Sequence, residues 1–176
     1  KTIPDPDGEW FEIRNNSTNP ITLNGLIISD EDGEEVHVVN SESEIVVNTG
    51  AYFVMGINSD TSTNGDYGYP VVIDYEYDTV RLSNESDTLV LQMGDVIIDS
   101  VMWDDGTTMP DPNGSSMQLD IDFTDANSND NHLFWCDEDT SSPGVANALC
   151  STVDHDGDGQ SPVAGDCDDS NSERDT

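Results

Sequence analysis

The chain has 176 residues, 34% of them apolar, and sets 38 acidic side chains against 4 basic ones for a formal charge of -34. Nucleic acid and anionic membrane are excluded as partners, because both are bound through Lys and Arg, and no apolar run approaches the ~20 residues that cross a bilayer as a helix. Cations and neutral surfaces remain, and a body of ~150 residues can bury about two thirds of its extended surface in a real core.

In chain order, segments rich in Val, Ile, Tyr and Phe alternate with clusters of Gly, Asn, Asp and Ser, which predicts strands over 9–14, 22–28, 35–39, 45–47, 52–57, 71–77, 79–82, 88–92, 96–103, 116–120 and 132–135. No window shows a sustained helical period. Val96, Ile98, Ser100 and Met102 alternate against Ile97, Asp99, Val101 and Trp103, as in a half-buried strand. Gly94-Asp95 and Asp105-Gly106 supply hairpin turns. Many short strands without crossover helices predict an all-β, antiparallel β-sandwich. Its two inner faces are expected to come from Trp10, Ile13, Leu26, Ile28, Phe53, Met55, Leu82, Leu89, Leu91, Ile97 and Val101, each contributing ~1.5 to 3 kcal/mol when buried. Arg14 and Arg81, the basic side chains of this body, are expected in ion pairs.

Cys136, Cys150 and Cys167 all lie in the last quarter, and none forms the C-x-x-C pair of a thiolate metal site. A disulfide in an oxidising compartment is the default. Cys136 with Cys150 is favoured, closing a loop whose chain-entropy stabilisation is ~3 kcal/mol; Cys150 with Cys167 is the competitor. Either leaves one thiol over, the mark of a fragment or of a bond to a neighbour. The chain opens at Lys1 without a signal segment, as expected of a mature exported protein.

The densest chemistry is at the C-terminus. Asp154, Asp156, Asp158, Asp166, Asp168 and Asp169 place six carboxylates in sixteen residues, with Gly157 and Gly159 set between them. Such crowding repels itself unless a cation intervenes, and oxygen-only ligands select a hard ion such as Ca²⁺. The first three Asp alternate and Gly159 follows, as in the opening of an EF-hand loop, but Gly165 stands where a bidentate Glu belongs, and Pro162 with the glycines argues against a following helix. A helix-free loop is therefore expected, with Asp154, Asp156, Asp158, the Gln160 carbonyl, Asp166, Asp168 and Asp169 as metal ligands. The division of the chain is then 1–150 for the sandwich and 151–176 for the calcium segment.

Catalysis has no candidate in the sequence. His37 sits in an alternating strand, His132 begins one, and His155, between two expected ligands, should point outward; none has a partner at a motif spacing. Tyr67, Tyr69, Tyr75 and Tyr77 fall in one acidic segment and suggest a platform for sugar rings, although Val71, Ile73, Tyr75 and Tyr77 share a strand face, which favours core or sheet edge for the last two.

Several motifs carry a resemblance. Gly8-Glu9-Trp10-Phe11-Glu12-Ile13-Arg14-Asn15-Asn16, then Ile21-Thr22-Leu23-Asn24-Gly25-Leu26-Ile27-Ile28-Ser29-Asp30, resemble the opening of a lamin tail domain. Leu82-Ser83-Asn84-Glu85-Ser86-Asp87-Thr88-Leu89-Val90-Leu91 and Gly94-Asp95-Val96-Ile97-Ile98-Asp99-Ser100-Val101 resemble its central motif, with Ser86 in place of the usual Gly. Pro143-Gly144-Val145-Ala146-Asn147 resembles its close, with Ser142 for Thr. The resemblance spans about residues 9–147 and implies an immunoglobulin-like β-sandwich, in exported bacterial proteins an accessory module. The D-x-D-G-D-G…G-D-C-D-D segment resembles Asp-rich metal-binding repeats of bacterial surface proteins and, more loosely, thrombospondin type 3 repeats. The expected function is thus a non-catalytic, secreted structural or adhesive module of the cell surface or of an extracellular assembly, stabilised by Ca²⁺ and contacting neighbouring domains or copies of itself. The alternative is a carbohydrate-binding accessory module of a larger secreted enzyme, with polysaccharide as the partner.

Overall fold

The computed structural model describes residues 6–31, 33–65, 71–112, 116–137, 141–166, 169–170 and 172. The fold is all-β, with strands β1 (Trp10–Arg14), β2 (Ile21–Thr22), β3 (Leu26–Ser29), β4 (Val36–Val38), β5 (Val46–Val47), β6 (Tyr52–Gly56), β7 (Tyr75–Glu76), β8 (Ser86–Met93), β9 (Val96–Asp104), β10 (Met117–Leu119) and β11 (Trp135–Asp137). Contacts divide the chain into two units. One comprises Lys1–Asp105 with Ser142–Ala146, the other Gly106–Ser141 with Asn147–Thr176. The boundary expected at 150 falls inside the second of these units, where Val153, from the expected tail, is buried with Cys136 and Cys150 and packed by Phe123 and Phe134, whose rings stack at 3.7 Å.

In the first unit, sheet β4-β3-β8-β9 and sheet β1-β6-β7 both send side chains into one cluster. Leu26, Ile28 and Leu91 come from the former and Met55 from the latter; Leu23, Val39, Val47, Tyr77 and Val80 complete the buried set. Pairing is antiparallel except for β6 with β7, which run parallel. The expected strand over 71–77 shortens to Tyr75–Glu76, and none forms over 79–82. The Gly94-Asp95 turn joins β8 to β9 as predicted. After Asp105-Gly106 the ladder does not continue: β10 pairs with β11.

Of the expected core, Ile13, Phe53, Leu82 and Leu89 pack against the cluster, and Trp10 and Val101 are half-buried. Ile97 is the exception, 63% exposed. The cause is a β-bulge: Leu91 faces Asp99 but Gln92 faces Ile97, so Ile98 is the extra residue and everything before it turns to the opposite face. Two cross-strand rows, Val38–Ile27–Gln92–Ile97 and Val36–Ser29–Val90–Ser100, then lie on the outer face with no charged side chain in either.

Among the contacts of the two arginines of this unit, Arg14 lies over the Tyr52 ring, 5.6 Å from its centroid, and Arg81 donates from Nη1 to the carbonyls of Asp78 at 3.1 Å and Val80 at 2.9 Å.

Candidate metal centre

The acidic segment lies in the second unit and is anchored by its own backbone. Val153 N–H donates to the Cys150 carbonyl, Val163 N–H to Ser151, and Asp166 N–H to Ser161. Cys150 is bonded to Cys136, the favoured pairing, so it is unavailable to Cys167, which lies outside the described residues. The segment carries no α-helix among the described residues. A single 3-10 turn occupies Pro162–Ala164, where Pro at the first position loses no hydrogen bond, and Gly165 ends it at a φ of +109°.

Each alternating Asp caps the loop behind it. Asp154 accepts from Gly157 N–H at 2.7 Å and Gly159 N–H at 2.8 Å; Asp156 accepts from Asp158 N–H at 3.2 Å, and Asp158 from Gln160 N–H at 2.8 Å. Gly157 and Gly159 stand at φ of +76° and +97°, a region costly for side chains, which lets the chain wind tightly enough for both their N–H groups to reach the Asp154 carboxylate. Two groups of carboxylates result, Asp154 with Asp156 and Asp169, and Asp156 with Asp158 and Asp166. Within each, one oxygen per residue lies within 4.8 Å of the others. Oxygens around Ca²⁺ bind at about 2.3 to 2.6 Å and so stand at most about 5 Å apart, which both groups satisfy.

A hard cation fits the donor set on a second ground. Oδ2 of Asp156, Asp158 and Asp166 is shielded from solvent, and that of Asp158 accepts no hydrogen bond among the described residues. A shielded carboxylate oxygen without a partner is costly, and a cation is the partner its chemistry calls for. The expected ligands Asp154, Asp156, Asp158, Asp166 and Asp169 are thus brought together. Gln160 enters the loop through its backbone N–H, and Asp168 lies outside the described residues.

His155 departs from expectation. Its side chain is 11% exposed and turned inward, with Nε2 2.9 Å from Oδ2 of Asp120 and Nδ1 against Oδ2 of Asp169. Burial pulls its pKa down, but hydrogen bonds to the carboxylates of Asp169 and then Asp120 outweigh this and hold it above the ordinary value. Asp120 is fully buried and also accepts from Cys150 N–H at 2.6 Å and Asp122 N–H at 2.9 Å. The sequence held no local sign of this partnership, because His155 and Asp120 are 35 positions apart.

Other candidate residues are engaged elsewhere. His37 contacts Asp78 at 2.9 Å and the Tyr75 hydroxyl at 3.0 Å, while His132 is exposed at the start of a 3-10 turn. Tyr77 is buried and Tyr75 half-buried, so neither offers a flat platform to solvent; Tyr67 and Tyr69 lie outside the described residues. No family model matches this chain, and no curated protein matches it in sequence.

Proposed function

We propose that the chain is a non-catalytic, cation-stabilised structural or adhesive module of an extracellular assembly, with Ca²⁺ held by Asp154, Asp156, Asp158, Asp166 and Asp169. The observation that carries this reading is the convergence of two carboxylate groups through a shared Asp156, beside a shielded Asp158 oxygen that accepts no hydrogen bond among the described residues. The ion neutralises the repulsion that this packing creates and crosslinks residues with few apolar contacts of their own. Extracellular sites of this kind bind with Kd of ~10⁻⁴ to 10⁻³ M, equivalent to about 4 to 5.5 kcal/mol at the standard state.

Two observations support the location and the role. A disulfide between Cys136 and Cys150 suits an oxidising compartment. The outer face of sheet β4-β3-β8-β9 joins exposed Val36, Val38 and Ile97 in rows free of charge, and in a chain of charge -34 it is a surface suited to a neutral neighbour. The lamin-tail reading of residues 9–147 belongs to the same proposal. It is supported by the return of Ser142–Ala146 to the first unit, where Gly144 N–H donates to Glu12 of β1 at 2.8 Å.

Calorimetric titration of CaCl₂ into the full chain tests the cation. Saturable binding is expected, weakened at least tenfold by Asp158→Asn, with backbone amides of the Asp-rich loop exchanging more slowly when calcium is present. A wild-type chain that gives no heat and unchanged exchange would overturn the reading.

A further inference from the structure

We infer that His155 is a positioning residue for the cation site, a strut between the buried Asp120 and the ligand Asp169 that fixes where that ligand stands before the ion arrives. The inference rests on the cation reading above and goes beyond it, since His155 belongs to neither carboxylate group that the ion would join.

The geometry runs in one direction, from fixed to movable. Asp120 is immobilised: it is fully buried, its backbone N–H donates to the Phe134 carbonyl at 2.8 Å, and its carboxylate accepts from Cys150 N–H at 2.6 Å and Asp122 N–H at 2.9 Å. His155 Nε2 meets that same carboxylate at 2.9 Å, so the ring is oriented from the disulfide side. On the far side His155 holds Asp169 twice, by its ring Nδ1 and by its backbone N–H, which donates to Oδ1 at 3.1 Å. Asp169 is the ligand that most needs such a hold. It is separated by ten residues or more from the Asp154–Asp158 loop, and the intervening 3-10 turn gives it no ladder to follow. Carboxylates that contact a ligand from outside the first sphere change metal affinity by about 10- to 100-fold when their link is cut, and the same logic applies to an imidazole that orients a ligating carboxylate. Both ring nitrogens are needed, because one alone would tether Asp169 to a ring free to turn.

The test is calcium affinity measured by calorimetry on the full chain, below the unfolding transition, for wild type, His155→Leu and His155→Gln. The strut predicts about a 100-fold loss for Leu, which reaches neither carboxylate, and a smaller loss for Gln, which can reach one. A purely structural role would lower the unfolding temperature of the calcium-free protein and leave the affinity of the folded fraction unchanged, and that result overturns the inference while the cation reading survives. Absence of binding in wild type overturns both. Should His155→Leu fail to fold, proton NMR of the wild-type chain decides: ring N–H protons of His155 protected from solvent exchange before calcium is added support the strut, and protection that arises only with calcium overturns it.

Discussion

Glu12 and Gly144 are 132 positions apart, yet the Gly144 N–H donates to Oε2 of Glu12 at 2.8 Å, tying the returning Ser142–Ala146 segment to β1. The carboxyl that makes this tie is half-buried, and burial raises its pKa above the ordinary 4.5 despite the opposing bond from Gly144. The folded form therefore holds its proton more tightly than the unfolded chain. Between the ordinary and the raised pKa the native state binds more protons, so this group's contribution to stability falls as pH rises through that window and stays flat above it. Glu12→Gln keeps an oxygen for Gly144 and has no proton to lose. Urea midpoints measured from about pH 4 to about pH 8 should show the variant gaining on wild type as pH rises through the window, then a constant gap. Every other carboxylate titrates in both proteins, so parallel curves would mean that Glu12 is not desolvated.

Tyr77 gives a second, opposite kind of polar burial. Its ring is wholly buried, 5.7 Å from Phe11 and 6.3 Å from His37, and its hydroxyl has no hydrogen-bond partner among the described residues. Burial, helped by Glu9 and opposed by Arg81, pushes its pKa well above the ordinary value. An unpaired buried hydroxyl costs about 1 to 3 kcal/mol. Tyr77→Phe keeps the ring and removes the orphan, so thermal unfolding should shift upward by a few degrees, as a gain of about 1 kcal/mol implies. A drop in Tm would place a partner on that oxygen.

How far the sequence could be read depended on whether the information was local. Strand segments such as Tyr52–Gly56 and Ser86–Met93 announce themselves by short apolar runs with β-branched and aromatic content. The turn geometry of the acid loop is equally legible, since Asp154, Asp156 and Asp158 alternate with Gly157 and Gly159 within six residues. The partners of that loop were not. Asp120 looks like any other turn aspartate in a chain with 38 acidic residues, and only the fold brings it to His155. The merging of 151–176 with 106–141 was hidden for the same reason: one valine, Val153, and one disulfide replace the apolar run that would have marked it.

The β9 bulge shows how one extra residue defeats a correct pattern, and it makes a sharp prediction. Val96, Ile97 and Ile98 sit in a strand whose alternation, continued from Val101 and Asp99, assigns Ile97 to the core. With Ile98 inserted, Ile97 opposes Gln92 on the outer face, while Leu91 on the neighbouring strand remains 9% exposed in the main cluster. The two side chains are isomeric, so hydrophobicity alone ranks them equally. Leu91→Ala removes buried methyl groups and leaves a cavity, at a cost of about 2 to 5 kcal/mol, whereas Ile97→Ala on an exposed position should change stability by less than about 0.5 kcal/mol. Urea unfolding of both variants reads the contrast directly. Equal losses would mean that β9 pairs without the bulge and that the charge-free row through Val38, Ile27 and Gln92 lacks Ile97, because Ile97 would then be packed inward beside Val101.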